Sequence, residues 1–178
     1  MAPDYAPAWS SLGLLRWHAA DHAGARQAFD RALELSPELP EAHYNRGLVA
    51  ASEGDLVRAA KEFQDAVALE PEYFEARLNL GLALQRQKKL EAAVAQFRAA
   101  VKMRPDLAEG HNDLGLALLA SGRSTEAIEE LRQSVTLKPE YAEAHYNLGL
   151  ALRESRQPEA ARVEFAHARR LNPRLPGP

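Results

Sequence analysis

The chain has 178 residues, of which 46% are hydrophobic and 26% are charged, a composition typical of folded proteins rather than of disordered chains. Its formal net charge of −3 provides no overall positive field for nucleic acid or an anionic membrane surface. The absence of cysteine excludes disulfides, thiolate nucleophiles and cysteine-ligated zinc.

The N-terminal residues, Met1 to Tyr5, contain neither a basic start nor an apolar run of signal-peptide length. No later segment has the long uninterrupted apolar stretch that crosses a bilayer. We therefore expect a cytoplasmic protein without membrane insertion, although a longer parent protein would leave its location open.

Glycine and proline recur along the chain with a common period of 34 residues. The glycines are Gly13, Gly47, Gly81, Gly115 and Gly149. The prolines are Pro37, Pro71, Pro105, Pro139 and Pro173. A fixed period of this length indicates stacked structural units. We predict a single domain, residues 1–178, with repeats at about 6–39, 40–73, 74–107, 108–141 and 142–175.

Each repeat predicts two helices joined by a short polar turn. In the third repeat, apolar residues recur at helical spacing from Leu78 to Leu84 and again from Leu90 to Val101. The repeated proline ends each second helix because it cannot continue the backbone ladder and restricts the residue before it.

The repeated glycines lie inside the predicted first helices, where glycine costs about 1 kcal/mol relative to alanine. We interpret them as points of close approach between the two helices of a repeat. Small residues of the second helices are predicted to meet them: Ala59, Ala93, Ala127 and Ala161. Larger residues are predicted to fill the wider gap: Phe29, Phe63, Phe97, Leu131 and Phe165.

The first repeat carries a pattern that resembles the tetratricopeptide repeat family: Trp9, Leu12, Gly13, Ala25, Phe29, Ala32 and Pro37. The resemblance extends from Ala6 to Leu175. It implies an all-α fold in which antiparallel helix hairpins stack into a right-handed superhelical solenoid. It also implies that the first helix of each pair lines the concave face.

The two ends of the array differ. The last predicted helix carries Arg162 and Arg169 where earlier repeats have small or apolar residues, which predicts a polar cap. At the other end, Pro3-Asp4-Tyr5 resembles Pro71-Glu72-Tyr73, the end of an internal repeat. This similarity leaves open whether the chain is a fragment of a longer protein.

A row of polar residues precedes the glycines by two positions: Ser11, Asn45, Asn79, Asp113 and Asn147. An asparagine amide both donates and accepts hydrogen bonds. The row resembles the asparagine ladder of tetratricopeptide arrays that bind peptide backbones, such as the substrate-binding region of O-linked N-acetylglucosamine transferases. Ser11 and Asp113 depart from that pattern. The alternative is that asparagine is only a common family residue at this position.

A leucine follows each glycine: Leu14, Leu48, Leu82, Leu116 and Leu150. These leucines form an apolar floor of the groove if exposed, or part of the core if neighbouring helices cover them. Tyr44, Tyr146 and Trp17 would add aromatic anchors. The lysine and asparagine clamp of chaperone-binding family members is absent, since Leu82 and Leu116 occupy the asparagine place.

A glutamate recurs in the first turn of four predicted first helices: Glu41, Glu75, Glu109 and Glu143. Negative charge at the start of a helix complements the helix dipole, and this alone is enough to explain the recurring glutamate. At the rim of a groove, the same residues would favour a peptide that contains lysine or arginine.

We find no phosphate-binding loop, dinucleotide fingerprint or metalloprotease motif. A predicted turn separates His18 from His22, which argues against a metal site. His43, His111 and His145 take the place of Trp9, and we interpret them as packing residues. We therefore predict no catalytic residue, no cofactor and no metal.

The sequence predicts a non-enzymatic scaffold or adaptor that binds an extended peptide or partner segment in a concave groove. One alternative is the substrate-recognition region of a larger enzyme, such as a glycosyltransferase. Another is a self-associating assembly scaffold, that is, a homo-oligomer. The abundance of alanine, leucine and arginine favours a bacterial source.

Overall fold

The computed structural model describes residues 5–176, which contain ten α-helices and no strand. The helices are α1 (Ala6–His18), α2 (His22–Leu35), α3 (Pro40–Ser52), α4 (Leu56–Leu69), α5 (Phe74–Arg86), α6 (Leu90–Met103), α7 (Ala108–Ala120), α8 (Ser124–Leu137), α9 (Ala142–Glu154) and α10 (Pro158–Leu171). Helices of 13 and 14 residues alternate along the chain, and the predicted pairing is confirmed for α1 with α2, α3 with α4, α7 with α8 and α9 with α10. Pro3 and Asp4 lie outside the described residues.

The helices divide into two compact units, Met1–Lys88 with α1 to α5 and Lys89–Pro178 with α6 to α10. We call them unit 1 and unit 2. In unit 1, α1 pairs with α2 and α3 with α4, while α3 also packs on α2 and α5 on α4. In unit 2, α7 pairs with α8 and α9 with α10, and α6 packs on α7. The continuity of one domain across both units stays a prediction.

The helix ends follow local sequence signals. Asp21 and Asp55 cap α2 and α4 by accepting a hydrogen bond from the backbone N–H three residues later, at 2.9 and 3.0 Å. Pro40 and Pro158 start α3 and α10, where the missing proline N–H leaves no helix bond unmade. The turn after α3 contains Gly54 with a φ of +82°, a conformation that glycine adopts without strain.

The predicted close approach is confirmed at Gly13, Gly47, Gly115 and Gly149, but the predicted contact residue was wrong. A Cβ built on Gly47 would lie 2.6 Å from the Phe63 ring, and one on Gly149 would lie 2.7 Å from the Phe165 ring. The large side chain, rather than the alanine, therefore lies directly on the glycine. Phe29, Phe63 and Phe97 are among the fully buried residues of the core.

The three repeated histidines have a polar role that the packing interpretation missed. Each Nδ1 lies 2.6–2.9 Å from a glutamate of the following second helix: Glu62, Glu130 and Glu164. Each Nε2 lies 3.0 Å from the carbonyl oxygen of the preceding linker proline: Pro37, Pro105 and Pro139. These histidines therefore link the second helix of their own repeat to the linker that precedes its first helix.

The end of the last pair agrees with the predicted polar cap, since Arg162 and Arg169 are both exposed on α10. Arg153 from α9 stacks over the Phe165 ring at 5.7 Å. Within residues 5–176, every helix is too short or too polar to cross a bilayer.

Candidate peptide-binding face

The residues predicted to bind a partner lie on the first helices, and we treat the two units separately. The unit 1 face consists of Ser11, Leu14, Glu41, Tyr44, Asn45, Leu48, Asn79 and Leu82, from α1, α3 and α5. The unit 2 face consists of Glu109, Asn112, Asp113, Leu116, Tyr146, Asn147 and Leu150, from α7 and α9.

On the unit 1 face, the structure brings together two predicted residues from neighbouring first helices. The Asn79 amide nitrogen donates to the Tyr44 hydroxyl at 3.3 Å and to the Glu75 carbonyl oxygen at 2.9 Å. Because both amide hydrogens of Asn79 are used in the chain, its side-chain oxygen would have to make any contact with a peptide. The Tyr44 ring lies 5.7 Å from Phe63 and 5.0 Å from Tyr73.

On the unit 2 face, three polar side chains form a connected row. The Asn147 amide donates to the Asn112 oxygen at 2.8 Å, and the Asn112 amide donates to Asp113 at 3.4 Å. Asn147 and Asn112 are buried. The Asn147 amide is thus already bonded to another side chain of this protein. Sequence reasoning missed Asn112, which occupies the repeat position of Tyr44 and Tyr146.

Asp113 is the departure from the asparagine row that the sequence singled out. Burial raises the pKa of Asp113 to about 6, and the nearby Glu109 charge acts in the same direction, against the hydrogen bond from Asn112. This carboxyl group therefore holds a proton far more readily than an exposed aspartate.

The leucine row is exposed at some positions and covered at others. Leu14 and Leu82 are 37% and 40% exposed. Leu48 packs against the core cluster around Phe63, while Leu116 and Leu150 are half-buried. The unit 1 face therefore presents two apolar contact points, and neither sequence alternative holds for all five leucines.

A cleft of about 360 Å³ opens between α1 and α3. Ser11 and Leu14 line one side of it, and Leu39, Glu41 and Ala42 line the other. The cleft joins predicted apolar and polar positions to the acidic first turn of α3.

A buried charge cluster lies between α2, α3 and α4, and sequence reasoning missed it. Arg46 donates to Glu62 at 2.8 Å and to Asp30 at 2.9 Å. Burial would raise the pKa of Glu62, but hydrogen bonds from His43 and Arg46 lower it below its ordinary value. The available signal was that Arg46 stands where the other repeats have leucine: Leu12, Leu80, Leu114 and Leu148.

The same cluster contains the only group of three metal-type ligands among residues 5–176, His43, Glu62 and Asp65. Their ligand atoms lie within 4.8 Å of one another. Arg46 already binds Glu62, and the Lys61 ammonium lies 2.6 Å from Asp65. Because these cations neutralise both carboxylates, the arrangement does not favour a metal ion.

Comparison with known proteins agrees with this architecture. Family models for the tetratricopeptide repeat match residues 1–40, 10–69 and 44–108, and a model for the TPR repeat matches residues 117–154. The chain belongs to the tetratricopeptide repeat (TPR) family. The all-α TPR fold class predicted from the sequence is thereby confirmed. No curated protein matches the chain significantly in sequence.

Solved TPR structures share the fold at low sequence identity. MamA from Desulfovibrio magneticus RS-1, residues 41 to the end, is 23% identical over 97% of each chain, with a TM-score of 0.88. Another MamA crystal structure is 22% identical over the full length of both chains, with a TM-score of 0.89. YrrB, described as a TPR protein with an unusual peptide-binding site, is 22% identical over 97% of this chain and 89% of its own, with a TM-score of 0.90.

Proposed function

We propose that this TPR chain is an interaction scaffold that holds an extended segment of another protein on its unit 1 face. The cleft between α1 and α3, together with the exposed Leu14 and Leu82, is the observation that carries this proposal. The peptide-binding site described for YrrB supports it, because the two chains share a fold. We propose no catalytic role.

The residues of the two faces have different roles in this proposal. Leu14 and Leu82 provide apolar contacts, with Leu48 between them, and Asn45 provides a half-buried amide for the partner backbone. Tyr44 orients Asn79 through their hydrogen bond. On the unit 2 face, a second surface of the same kind would consist of Leu116, Leu150 and Tyr146. Asn147 fixes the position of Asn112 through their buried hydrogen bond.

Site-specific photocrosslinking tests which surface meets a partner. The photoreactive residue p-benzoylphenylalanine replaces Leu82 in one variant and Val57 in another, and each protein is irradiated in cell extract. Val57 is the matched control because it is 71% exposed on the second helix α4. We expect crosslinked peptides at Leu82 and few at Val57. Equal yields, or a higher yield at Val57, would contradict the proposal.

Two alanine substitutions separate recognition from stability. Asn45→Ala is expected to weaken partner capture without changing the thermal unfolding midpoint. Asn147→Ala is expected to lower the midpoint, because it leaves the buried Asn112 oxygen without its donor. If Asn45→Ala left capture unchanged, the backbone-binding role of this amide would be wrong.

The two alternatives are open to direct measurement. Light scattering across a concentration series tests the self-associating scaffold, because a constant monomer mass would exclude it. The length of the parent reading frame tests the enzyme alternative, because a catalytic domain on the same chain would make this array its recognition region.

A further inference from the structure

In unit 2, the ammonium group of Lys138 lies between a glutamate, Glu109, and a tyrosine ring, Tyr141. The Lys138 Nζ atom lies 2.8 Å from a Glu109 carboxylate oxygen. The same atom lies 5.2 Å from the centre of the Tyr141 ring, within the range of a cation–π contact. The ion pair lowers the pKa of Glu109. Here the chain itself provides the cation.

We call the three positions of Glu109, Lys138 and Tyr141 a frame. An equivalent frame exists in unit 1, two repeats earlier in the sequence. Glu41, Glu70 and Tyr73 stand where Glu109, Lys138 and Tyr141 stand in unit 2. The Tyr73 N–H donates to the Glu70 carbonyl oxygen at 3.0 Å, and the Tyr141 N–H donates to that of Lys138 at 3.0 Å.

The backbone conformation of the two frames is also the same. Glu70 has φ −129° and ψ 91°, and Lys138 has φ −138° and ψ 84°. Tyr73 has φ −73° and ψ 87°, and Tyr141 has φ −83° and ψ 88°. Both glutamates, Glu41 and Glu109, lie in the first turn of a first helix. The frames therefore differ in chemistry rather than in backbone geometry.

The difference is that unit 1 has a carboxylate where unit 2 has the ammonium. Burial raises the pKa of Tyr73 to about 12, with contributions from Tyr44 and from the charges of Glu41, Glu75 and Glu70. By position, Glu41 and Glu70 correspond to Glu109 and Lys138, whose side chains meet beside the Tyr141 ring. Among the described residues, neither Glu41 nor Glu70 forms an ion pair with lysine or arginine.

We propose that Glu41, Glu70 and Tyr73 form a subsite for a lysine or arginine side chain of the segment bound on the unit 1 face. The inference rests on the proposed function and adds the chemistry of the partner. Glu41 lines the cleft between α1 and α3, so the subsite is continuous with that face. Tyr44, whose ring lies 5.0 Å from Tyr73, adds a second aromatic surface. Charge complementarity identifies the occupant as cationic.

Two reciprocal substitutions follow from the matched frames. Glu70→Lys places the ammonium of unit 2 into unit 1, so the subsite should be filled by the chain itself. Lys138→Glu removes the internal cation from unit 2, so a second subsite should open. Glu34→Lys is the control because it makes the same charge change at an exposed position of α2, where Glu34 pairs with Arg31 and not with a residue of the unit 1 face.

The experiment is a display selection of random twelve-residue peptides on the wild-type chain, followed by measurement of Kd for the enriched peptides. We expect enriched peptides to share a lysine or arginine. Glu70→Lys should weaken their binding about fivefold to thirtyfold, and replacement of that lysine by Nε-acetyl-lysine should have a similar effect. Glu34→Lys should change Kd less than twofold, and Lys138→Glu should preserve or improve binding.

The outcomes distinguish the subsite from the proposed function. Enriched peptides without a shared cation, or binding that Glu70→Lys and Glu34→Lys weaken equally, would overturn the subsite and leave peptide recognition intact. No enrichment of any peptide would overturn both. A ring-proton shift of Tyr73 in Glu70→Lys, measured by NMR, should accompany the loss of binding. The absence of this shift would contradict the matched geometry.

Discussion

Residues 40–73 of unit 1 and residues 108–141 of unit 2 form equivalent helix pairs with different polar groups inside. The first pair holds the half-buried Arg46 against Glu62 and against Asp30 of the preceding helix α2, where the second has Leu114 in its core. Both keep the histidine–glutamate hydrogen bond between their two helices. The backbone of a repeat thus tolerates a change of interior chemistry if every buried charge keeps a partner.

The same comparison holds on the surfaces of the two pairs. Unit 1 has Glu41, Glu70 and Tyr73 at the positions of Glu109, Lys138 and Tyr141, so a carboxylate replaces the ammonium that unit 2 holds over its tyrosine. Unit 2 instead keeps a half-buried carboxyl group, Asp113, with a raised pKa. Repetition of the fold therefore does not mean repetition of the binding chemistry. Four predictions test this comparison.

The largest expected effect is at Arg46. Arg46→Leu copies the leucine of the other pair but leaves Glu62, whose side chain is 4% exposed, without a main partner. We expect the free energy of unfolding to fall by about 3–5 kcal/mol. Arg46→Leu combined with Glu62→Gln should recover most of this loss in urea denaturation. If the single variant Arg46→Leu were as stable as wild type, the charge cluster would contribute nothing to the free energy of unfolding.

The next effect is pH-dependent and lies at Asp113. Its pKa is about 6 in the folded chain and 3.8 for the ordinary side chain, so folding favours the protonated form. The resulting loss of stability is absent well below pH 3.8, grows between about pH 4 and pH 6, and is complete above pH 6 at about 3 kcal/mol or less. Asp113→Asn should therefore be more stable than wild type at pH 7 and close to it in stability at about pH 3. A constant difference across pH would contradict the assignment.

A smaller effect distinguishes the glycines of the two pairs. A Cβ on Gly47 would lie 2.6 Å from the Phe63 ring, and one on Gly115 would lie 2.6 Å from Leu131 Cγ. Gly47→Ala should cost about 1–3 kcal/mol, because the flat ring has no alternative position in the core. Gly115→Ala should cost less, since leucine can change rotamer. Thermal unfolding of the two variants compares them, and equal losses would contradict this explanation.

The smallest effect concerns the start of the second helix. Asp55 caps α4 through its bond from the Arg58 N–H, whereas Arg123 at the start of α8 makes no such bond. Asp55→Ala should lower the free energy of unfolding by about 1 kcal/mol. The matched change Ser52→Ala, at the end of the preceding helix, should cost less. A larger loss for Ser52→Ala would contradict the capping role.

Much of the candidate face followed from spacing, because the period places equivalent residues on equivalent helices. The first-turn position of Glu41 and the first-helix position of Asn79 are both as predicted. The hydrogen bonds of Asn79 to Tyr44 and of Asn147 to Asn112 were not predictable in the same way. Each joins side chains of different repeats, and their distance depends on how neighbouring helices pack. The peptide-binding role of the row therefore stays a prediction.

The sequence by itself determined the helix pairs, their ends and their family, because glycine, proline and apolar spacing act through local backbone conformation and one repeated contact. Only the tertiary structure decided that Phe63 lies on Gly47, that Arg46 is paired with Glu62, and that Lys138 lies over Tyr141. These features depend on distances between side chains of separate helices. A change of one residue, such as Glu70 in place of Lys138, alters them while the repeat pattern remains the same.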